Sequence, residues 1–382
     1  MNAPRVALVH DWLDTWRGGE HVLAELLRIY PQADLFALVD FLPDALRAKL
    51  QGRRAVTSFL QRLPGARRHF RAFLPLFPRA IESLDVSAYD LVVSCSHAVA
   101  KGVRTRADQL HICYCHTPMR YAWDLRDQYL EVSGHAARPW APLVRHLLDR
   151  LRDWDRRTSD RVSAFVANSE FIRARIRRCY DRDATVIAPP VDTEFFTPGS
   201  GRRDGFVTAS RWVPYKRVDL IVAALRELPT ERLVVVGDGP EAPRVRAAAG
   251  PNVEFVGEVS RERLRELLRG ARAFLFAAEE DFGILPVEAQ AVGTPVIAFG
   301  RGGVLETVRG LDDPEPTGVF FAEQTPAAIA SAVRRFGADA SRIRSETCRA
   351  NAERFSAERF RREFAAFVAA RSAGFTAAGA QP

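Results

Sequence analysis

The chain has 382 residues, more than one ordinary hydrophobic core organises, and so it reads as two domains. Its 47% hydrophobic and 27% charged residues exclude a disordered chain, and no run of about 18 apolar residues offers a membrane span. The formal charge of +8 rests on 55 basic residues, of which only Lys49, Lys101 and Lys216 are lysines, so a lysine in a chemically suggestive place carries more weight than an arginine would.

Scattered arginine without an RNA-module or helix-turn-helix pattern argues against nucleic acid and favours an anionic membrane face or anionic substrates. The polar Asp11 comes too early for a secretory leader. The expected location is therefore cytoplasmic, with attachment to the cytoplasmic face of the inner membrane as the variant. Five cysteines, Cys95, Cys113, Cys115, Cys179 and Cys348, are odd in number and lack paired spacing, so reduced core thiols are expected.

In chain order, Val6-Ala7-Leu8-Val9 begins a strand, and His10-Asp11-Trp12 leaves it for a loop containing Gly18 and Gly19. From His21, the spacing of Val22, Leu23, Leu26, Leu27 and Tyr30 predicts a helix. The glycines allow a ligand or phosphate to approach the backbone, although ordinary turns use glycine too. Residues 34–39 read as the second strand. The basic, aromatic and proline-rich stretch 53–79 suits either contact with an anionic bilayer or lipid phosphate, or an amphipathic element packed on the sheet.

Residues 89–94 form the next predicted strand, ending in Cys95-Ser96-His97-Ala98. Leu110 to Cys115 forms another, and His116-Thr117-Pro118-Met119-Arg120-Tyr121 follows at its carboxyl end, where open α/β sheets bind ligands. By itself a histidine there is more often structural than catalytic. From Pro139 to Arg161 the spacing of Trp140, Leu143, Leu147, Leu151 and Trp154 predicts a long amphipathic helix with that face in the core. The Pro189-Pro190 to Gly199-Ser200-Gly201 segment is the best boundary. The expected division is a first domain at 1–190, a linker at 191–204, a second domain at 205–350, further helices at 351–372, and a tail at 373–382.

The second domain restarts with the strand Phe206-Val207-Thr208-Ala209, after which Arg211 and Lys216 lie between a strand end and a helix start. Two cations beside helix-start N–H groups suit a diphosphate. Leu233 to Val236 runs into Gly237-Asp238-Gly239, which lacks the third glycine of a dinucleotide fingerprint. Strands at 273–277 and 295–299 enclose the stretch from Glu279 to Thr294. Within it Pro286 suits a first helical position, Glu288 the first turn and Gly293 the helix stop. Glu280 falls on the loop, and the backbone of Phe282, Gly283, Ile284 and Leu285 offers N–H groups to an anion or a sugar hydroxyl. The bland alternative makes Glu288 a helix-dipole partner and Glu280 a solvated loop residue.

The string Glu280-Asp281-Phe282-Gly283, then Glu288-Ala289, then Gly293-Thr294-Pro295-Val296-Ile297, resembles the Glu-x7-Glu signature of retaining, nucleotide-sugar-dependent glycosyltransferases of family 4. The resemblance implies the GT-B fold, an α/β architecture of two Rossmann-like domains facing a cleft. It implies that Glu288 holds the ribose hydroxyls, and that Glu280 with the N–H groups after it holds the donor sugar. Gly18, Gly19 and Gly237 would lie near the donor, and Arg211 and Lys216 match an Arg-x4-Lys element that neutralises the leaving diphosphate. The string His116 to Tyr121, with Asp11-Trp12 and Ser96-His97-Ala98, is similar to that of WbaZ-like bacterial mannosyltransferases of O-antigen or exopolysaccharide assembly.

That second resemblance implies GDP-mannose as donor and a glycan or lipid-linked acceptor, with His97, Arg120 and Tyr121 on the acceptor side. His116 would orient the sugar or stabilise positive charge. Cationic side chains such as Arg211 and Lys216 can do the work of a divalent metal at the diphosphate, so no metal and no cofactor besides the donor substrate is expected. Competing readings are a UDP-hexose donor, a sugar-nucleotide epimerase on the same fold, and a noncatalytic polyanion binder. Release of a nucleoside diphosphate, appearance of a new sugar nucleotide, or neither, separates transferase, epimerase and binder.

Overall fold

The computed structural model describes residues 4–124 and 140–379. The chain divides into two compact units, one formed by Met1–Pro189 with Phe360–Pro382 and the other by Pro190–Arg359.

The first unit is built on a parallel sheet of seven strands in the order β3-β2-β1-β4-β5-β6-β7. These are β1 (Val6–His10), β2 (Asp34–Ala37), β3 (Val56–Thr57), β4 (Leu91–Ser96), β5 (Leu110–Cys115), β6 (Ala164–Ala167) and β7 (Ala184–Val186). Every residue of β1, β4 and β5 is buried, as central parallel strands covered on both faces must be. One face packs Leu8, Val93 and Tyr114 against Leu23 and Leu27 of the helix Gly18–Ile29 and against Phe360 and Phe364 of the last helix. The other packs Val9 and Val92 against Phe70, Phe77, Leu148, Leu151 and Trp154.

The stretch 53–79 folds as short helical turns at Phe59–Arg62, Ala66–His69 and Phe70–Leu76, leading into Phe77–Glu82. Leu60, Phe70 and Phe77 are buried among them, whereas Val56, Phe59 and Leu76 are exposed. The helix predicted from Pro139 is Ala141–Thr158, and Pro139 lies outside the described residues. Its apolar stripe is longer than the core that it meets: Leu148, Leu151 and Trp154 are buried, but Trp140 and Leu143 are 48% and 60% exposed. The last helix, Ala357–Gly379, continues into the residues read as a tail.

Lys101 is buried in this unit, with Nζ 2.9 Å from Asp155 Oδ1, and it donates to Thr158 Oγ1 at 2.9 Å. The other oxygen, Asp155 Oδ2, accepts from Trp123 Nε1 and from the Tyr180 hydroxyl, each at 2.8 Å. All five cysteines are free and buried, as expected.

The second unit holds a parallel sheet of six strands in the order β10-β9-β8-β11-β12-β13. They are β8 (Phe206–Ala209), β9 (Leu233–Val236), β10 (Val253–Gly257), β11 (Ala273–Phe276), β12 (Val296–Phe299) and β13 (Gly318–Phe321). Its core gathers Trp212, Leu225, Leu275, Ile297 and Phe336. Gly237 has φ +113°, and a Cβ there would sit 1.9 Å from the Ser210 carbonyl oxygen. Gly239 is likewise closed in by the Trp212 carbonyl, so the loops after β8 and β9 interlock through glycines.

In each sheet the strand order reverses once, between β1 and β4 in the first and between β8 and β11 in the second. Such a switch point splays the two following loops apart and leaves a crevice at the carboxyl ends of the strands.

Candidate active site

At the switch point of the second unit, the chain leaves β8 through Arg211 and a short turn, Pro214–Lys216, before the helix Val218–Arg226. The loop after β11 carries Glu280. Lys216 Nζ forms an ion pair with Glu280 Oε1, both side chains being largely covered. Arg211 is exposed on the same loop as Lys216. The Glu280 loop is held from behind, since Gly303 N–H donates to the Glu280 carbonyl at 2.8 Å and a Cβ on Gly302 would reach that oxygen at 2.4 Å.

The helix after this loop is Ile284–Ala291, with Gly283 before it at φ +88°. Pro286 is therefore the third helical residue rather than the first, and Glu288 falls in the second turn. The left-handed glycine turns the chain directly into the helix, two residues before the proline is reached. Phe282 is buried with its ring edge against Phe355, centroids 5.4 Å apart, so it offers a ligand its backbone rather than its ring. Ile284 and Leu285 are half-buried at the helix start.

Glu288 is 8% exposed, and among the described residues its carboxylate has no hydrogen bond or ion pair. Burial pushes it up to about 8, against the smaller lowering effect of Arg261 and with the help of Asp192. Arg261 itself is tied to Asp192 at 2.9 Å. A buried carboxyl without a donor calls for one.

At the switch point of the first unit, β1 ends in His10, β4 in Ser96 and β5 in Cys115, so residues 10–12, 97 and 116 emerge side by side. Asp11 is fully buried and accepts backbone N–H bonds from His97, Ala98, Val99 and Ala100 at 2.7, 3.1, 2.6 and 2.7 Å. The same carboxylate lies 2.9 Å from His97 Nδ1. Burial opposes its charge, but His97 and these donors hold it far below the usual carboxylate range. For His97, burial pulls down and Asp11 pulls up, with a net rise above 6.5.

His10 is fully buried, 3.6 Å through Nε2 from Glu20 Oε1. Burial works against the Glu20 charge, yet the His10 contact and local amides bring it down to about 2. His116 is brought down to about 3 by burial and then by His97 and His10, so it is neutral at physiological pH. Its Nε2 has no hydrogen-bond partner among the described residues. A Cβ on Gly19 would lie 3.4 Å from His10 Cε1 and 3.6 Å from His116 Nε2, so the Gly18-Gly19 helix start faces both rings.

The fold thus gathers Gly18, Gly19, His97 and His116 in one unit, and Lys216, Glu280 and the backbone from Phe282 to Leu285 in the other. Arg120 and Tyr121 sit on the turn after His116, both half-buried. Gly237 is not open to a ligand on its Cα side, which the Ser210 carbonyl occupies. Sequence reasoning passed over His10 and Glu20, and it used Asp11 only as part of a motif. The signal available for Asp11 was an acidic residue directly after a buried strand. Among the described residues no group of three or more His, Cys, Asp and Glu could hold a metal ion.

Two Rossmann-like units, each with its polar cluster at a sheet switch point, define the GT-B class. Residues 16–195 match the family described as Glycosyltransferase Family 4, and residues 192–355 match Glycosyl transferases group 1. The chain has the GT-B fold, with a Glycosyltransferase Family 4 domain followed by a Glycosyl transferases group 1 domain.

The fold is similar to Anabaena Alr3699/HepE in complex with UDP and glucose, at TM-score 0.70 and 17% identity over 96% of this chain and 100% of that one. It is also similar to sucrose-phosphate synthase (tll1590) from Thermosynechococcus elongatus, at TM-score 0.72 and 20% identity over 97% and 100%. In sequence, the chain is 35% identical over 141 residues to D-inositol 3-phosphate glycosyltransferase of Mycobacteroides abscessus, 31% of this chain and 32% of that protein. It is 31% identical over 199 residues to GDP-mannose-dependent alpha-(1-6)-phosphatidylinositol monomannoside mannosyltransferase of Mycobacterium tuberculosis, 44% and 50% of the two. The matched stretches thus span about a third to a half of these curated relatives.

Proposed function

We propose that this chain moves a hexose, mannose from GDP-mannose, onto a glycan or lipid-linked acceptor of cell-surface polysaccharide, with retention at the anomeric carbon. The observation that carries the reading is the second-unit cluster, where a buried, unpartnered Glu288 follows the Lys216–Glu280 pair on the next helix. Glu288 accepts from the ribose hydroxyls. Glu280 and the helix-start amides hold the sugar, and Lys216 and Arg211 face the diphosphate. As the glycosidic bond breaks toward an oxocarbenium-like sugar, negative charge grows on the diphosphate, and fixed cations and amides favour that state over the ground state. His116, held neutral, orients a sugar hydroxyl rather than supplying charge.

Mannose and GDP are supported by the mycobacterial mannosyltransferase relative and by the WbaZ-like string at His116 to Tyr121. A UDP-hexose is the second reading, favoured by the solved relative that holds UDP and glucose. The exposed Val56, Phe59 and Leu76 beside exposed arginines support peripheral contact with an anionic membrane, where a lipid-linked acceptor resides.

The test incubates purified protein with GDP-mannose, UDP-glucose and UDP-galactose, with and without octyl α-mannoside. GDP release from GDP-mannose, unchanged by EDTA, is expected. Lys216→Ala is expected to lower kcat about 100-fold while leaving the melting temperature within about 2 °C. A new sugar nucleotide in place of free GDP would establish an epimerase, and loss of activity in EDTA with recovery in magnesium would overturn the metal-free account of the leaving group.

A further inference from the structure

Asp11 is fully buried and heavily engaged, and nothing about nucleotide-sugar binding requires it. Its carboxylate takes four consecutive backbone N–H groups, residues 97 to 100, and the His97 ring besides. Four amides would satisfy a carboxylate without the imidazole. The added contact fixes the ring instead: with Nδ1–H committed to Asp11, Nε2 is the nitrogen left for a ligand, and the ring stands edge-on to Trp12 with centroids 4.6 Å apart. The His97 side chain stays one-third exposed while Asp11 is sealed beneath it.

The groups facing His97 come from three elements. Asp11, His10 and Trp12 leave β1, with His10 at 6.1 Å between ring centroids. Arg17 and Glu20 flank the start of the helix Gly18–Ile29. His116 leaves β5, 6.5 Å away. Arg71 stacks on the far partner, Trp12, at 5.7 Å. Asp11 is the one of these in direct ion-pair contact with His97, while Glu20 is turned to His10 and to the Arg17 N–H.

We propose that Asp11 is a positioning residue that holds His97 as a fixed imidazolium, aimed through Nε2–H at an oxygen of the acceptor. This rests on the glycosyl-transfer reading but adds a residue and a charge state to it. The outcome is a division of labour between two imidazoles: His97 donates as a cation, and His116, uncharged, accepts. The sign follows from linkage. A histidine whose pKa is raised in the fold contributes its ion pair fully below pH 6.5 and loses it as pH rises through the folded value.

The experiment labels the histidines with 13C and follows each Cε1–H by NMR against pH, with His97 assigned from the spectrum of His97→Gln. In the wild type His97 is expected to titrate above pH 6.5, and in Asp11→Asn at or below it. Kinetics with GDP-mannose and octyl α-mannoside then give the functional side. Asp11→Asn is expected to raise the acceptor KM about tenfold at pH 7.5, with kcat and donor KM changed less than threefold, and to recover as pH falls through the variant's own lower His97 midpoint, where the ring is protonated without Asp11. A purely structural defect would not be mended by acid.

A wild-type His97 midpoint at or below 6.5 overturns the proposal, as does a loss in Asp11→Asn that is uniform across pH and across both substrates. Should Asp11→Asn not fold, the wild type decides: acceptor KM rising as pH passes the His97 midpoint supports the assignment, and a flat profile ends it. The titration needs no turnover. A protein with the raised midpoint but no sugar transfer would therefore overturn the glycosyltransferase reading and not the Asp11–His97 pairing.

Discussion

Glu288 shows how far one residue can be read. Its spacing from Glu280 is visible in the sequence, but its protonation is not, because that depends on how completely the helix Ile284–Ala291 is covered. Burial lifts the carboxyl from 4.5 to about 8, so the fold binds a proton that the unfolded chain has released. Stability therefore falls as pH rises from 4.5 toward 8. Glu288→Gln is expected to stabilise the ligand-free protein at pH 8.5 by on the order of 2 kcal/mol and by little at pH 5, measured by urea unfolding at both. The same variant should weaken GDP-mannose binding about tenfold, since a carboxylate accepting from ribose hydroxyls makes stronger bonds than an amide. Stabilisation without loss of affinity would remove Glu288 from the donor site.

Among the elements, the helix Ala141–Thr158 is the most instructive. Its apolar periodicity is plain in the sequence, yet the feature that fixes it is the buried pair of Lys101 and Asp155. Asp155 also holds Trp123, two residues past Tyr121, so this helix anchors the turn that carries Arg120 and Tyr121. Removing one member of a buried pair strands the other charge, at a cost of about 3–5 kcal/mol. Lys101→Met should lower stability by about that amount in urea unfolding, whereas replacing both with Lys101→Met and Asp155→Leu should lose less than the sum of the two single changes. Strict additivity would mean that the two charges do not act as a unit. The rarity of lysine marked Lys101 in the sequence, but its partner 54 residues on could not be named without the packing.

For the whole molecule, the division of charge matters most. Between Asp44 and Glu82 the sequence carries nine basic residues and no acidic one. Arg67, Arg68 and Arg71 of that run are exposed, and so are the apolar Phe59 and Leu76. An anionic surface complements such a face, and each basic residue near it contributes about 1 kcal/mol. The protein should sediment with vesicles containing 30% phosphatidylglycerol in phosphatidylcholine, ~30% being an ordinary anionic load, and not with phosphatidylcholine alone. Arg67→Glu with Arg68→Glu should weaken that binding about tenfold or more. Equal sedimentation with both vesicle types would refute an electrostatic membrane face. Among the described residues no helix is long and apolar enough to cross a membrane.

The sequence by itself determined the elements and the Glu280–Glu288 motif, because both are local. Short apolar runs bounded by polar, proline or glycine residues are parallel strands, and Glu280, the helix start and Glu288 lie within nine residues of one another. Tertiary structure alone decided the first-unit cluster. Asp11, His97 and His116 are brought together only because β1, β4 and β5 lie side by side and in parallel, which opens their loops at the same edge. Periodicity reports which face of an element is buried, whereas strand order and register decide which distant residues meet at its end.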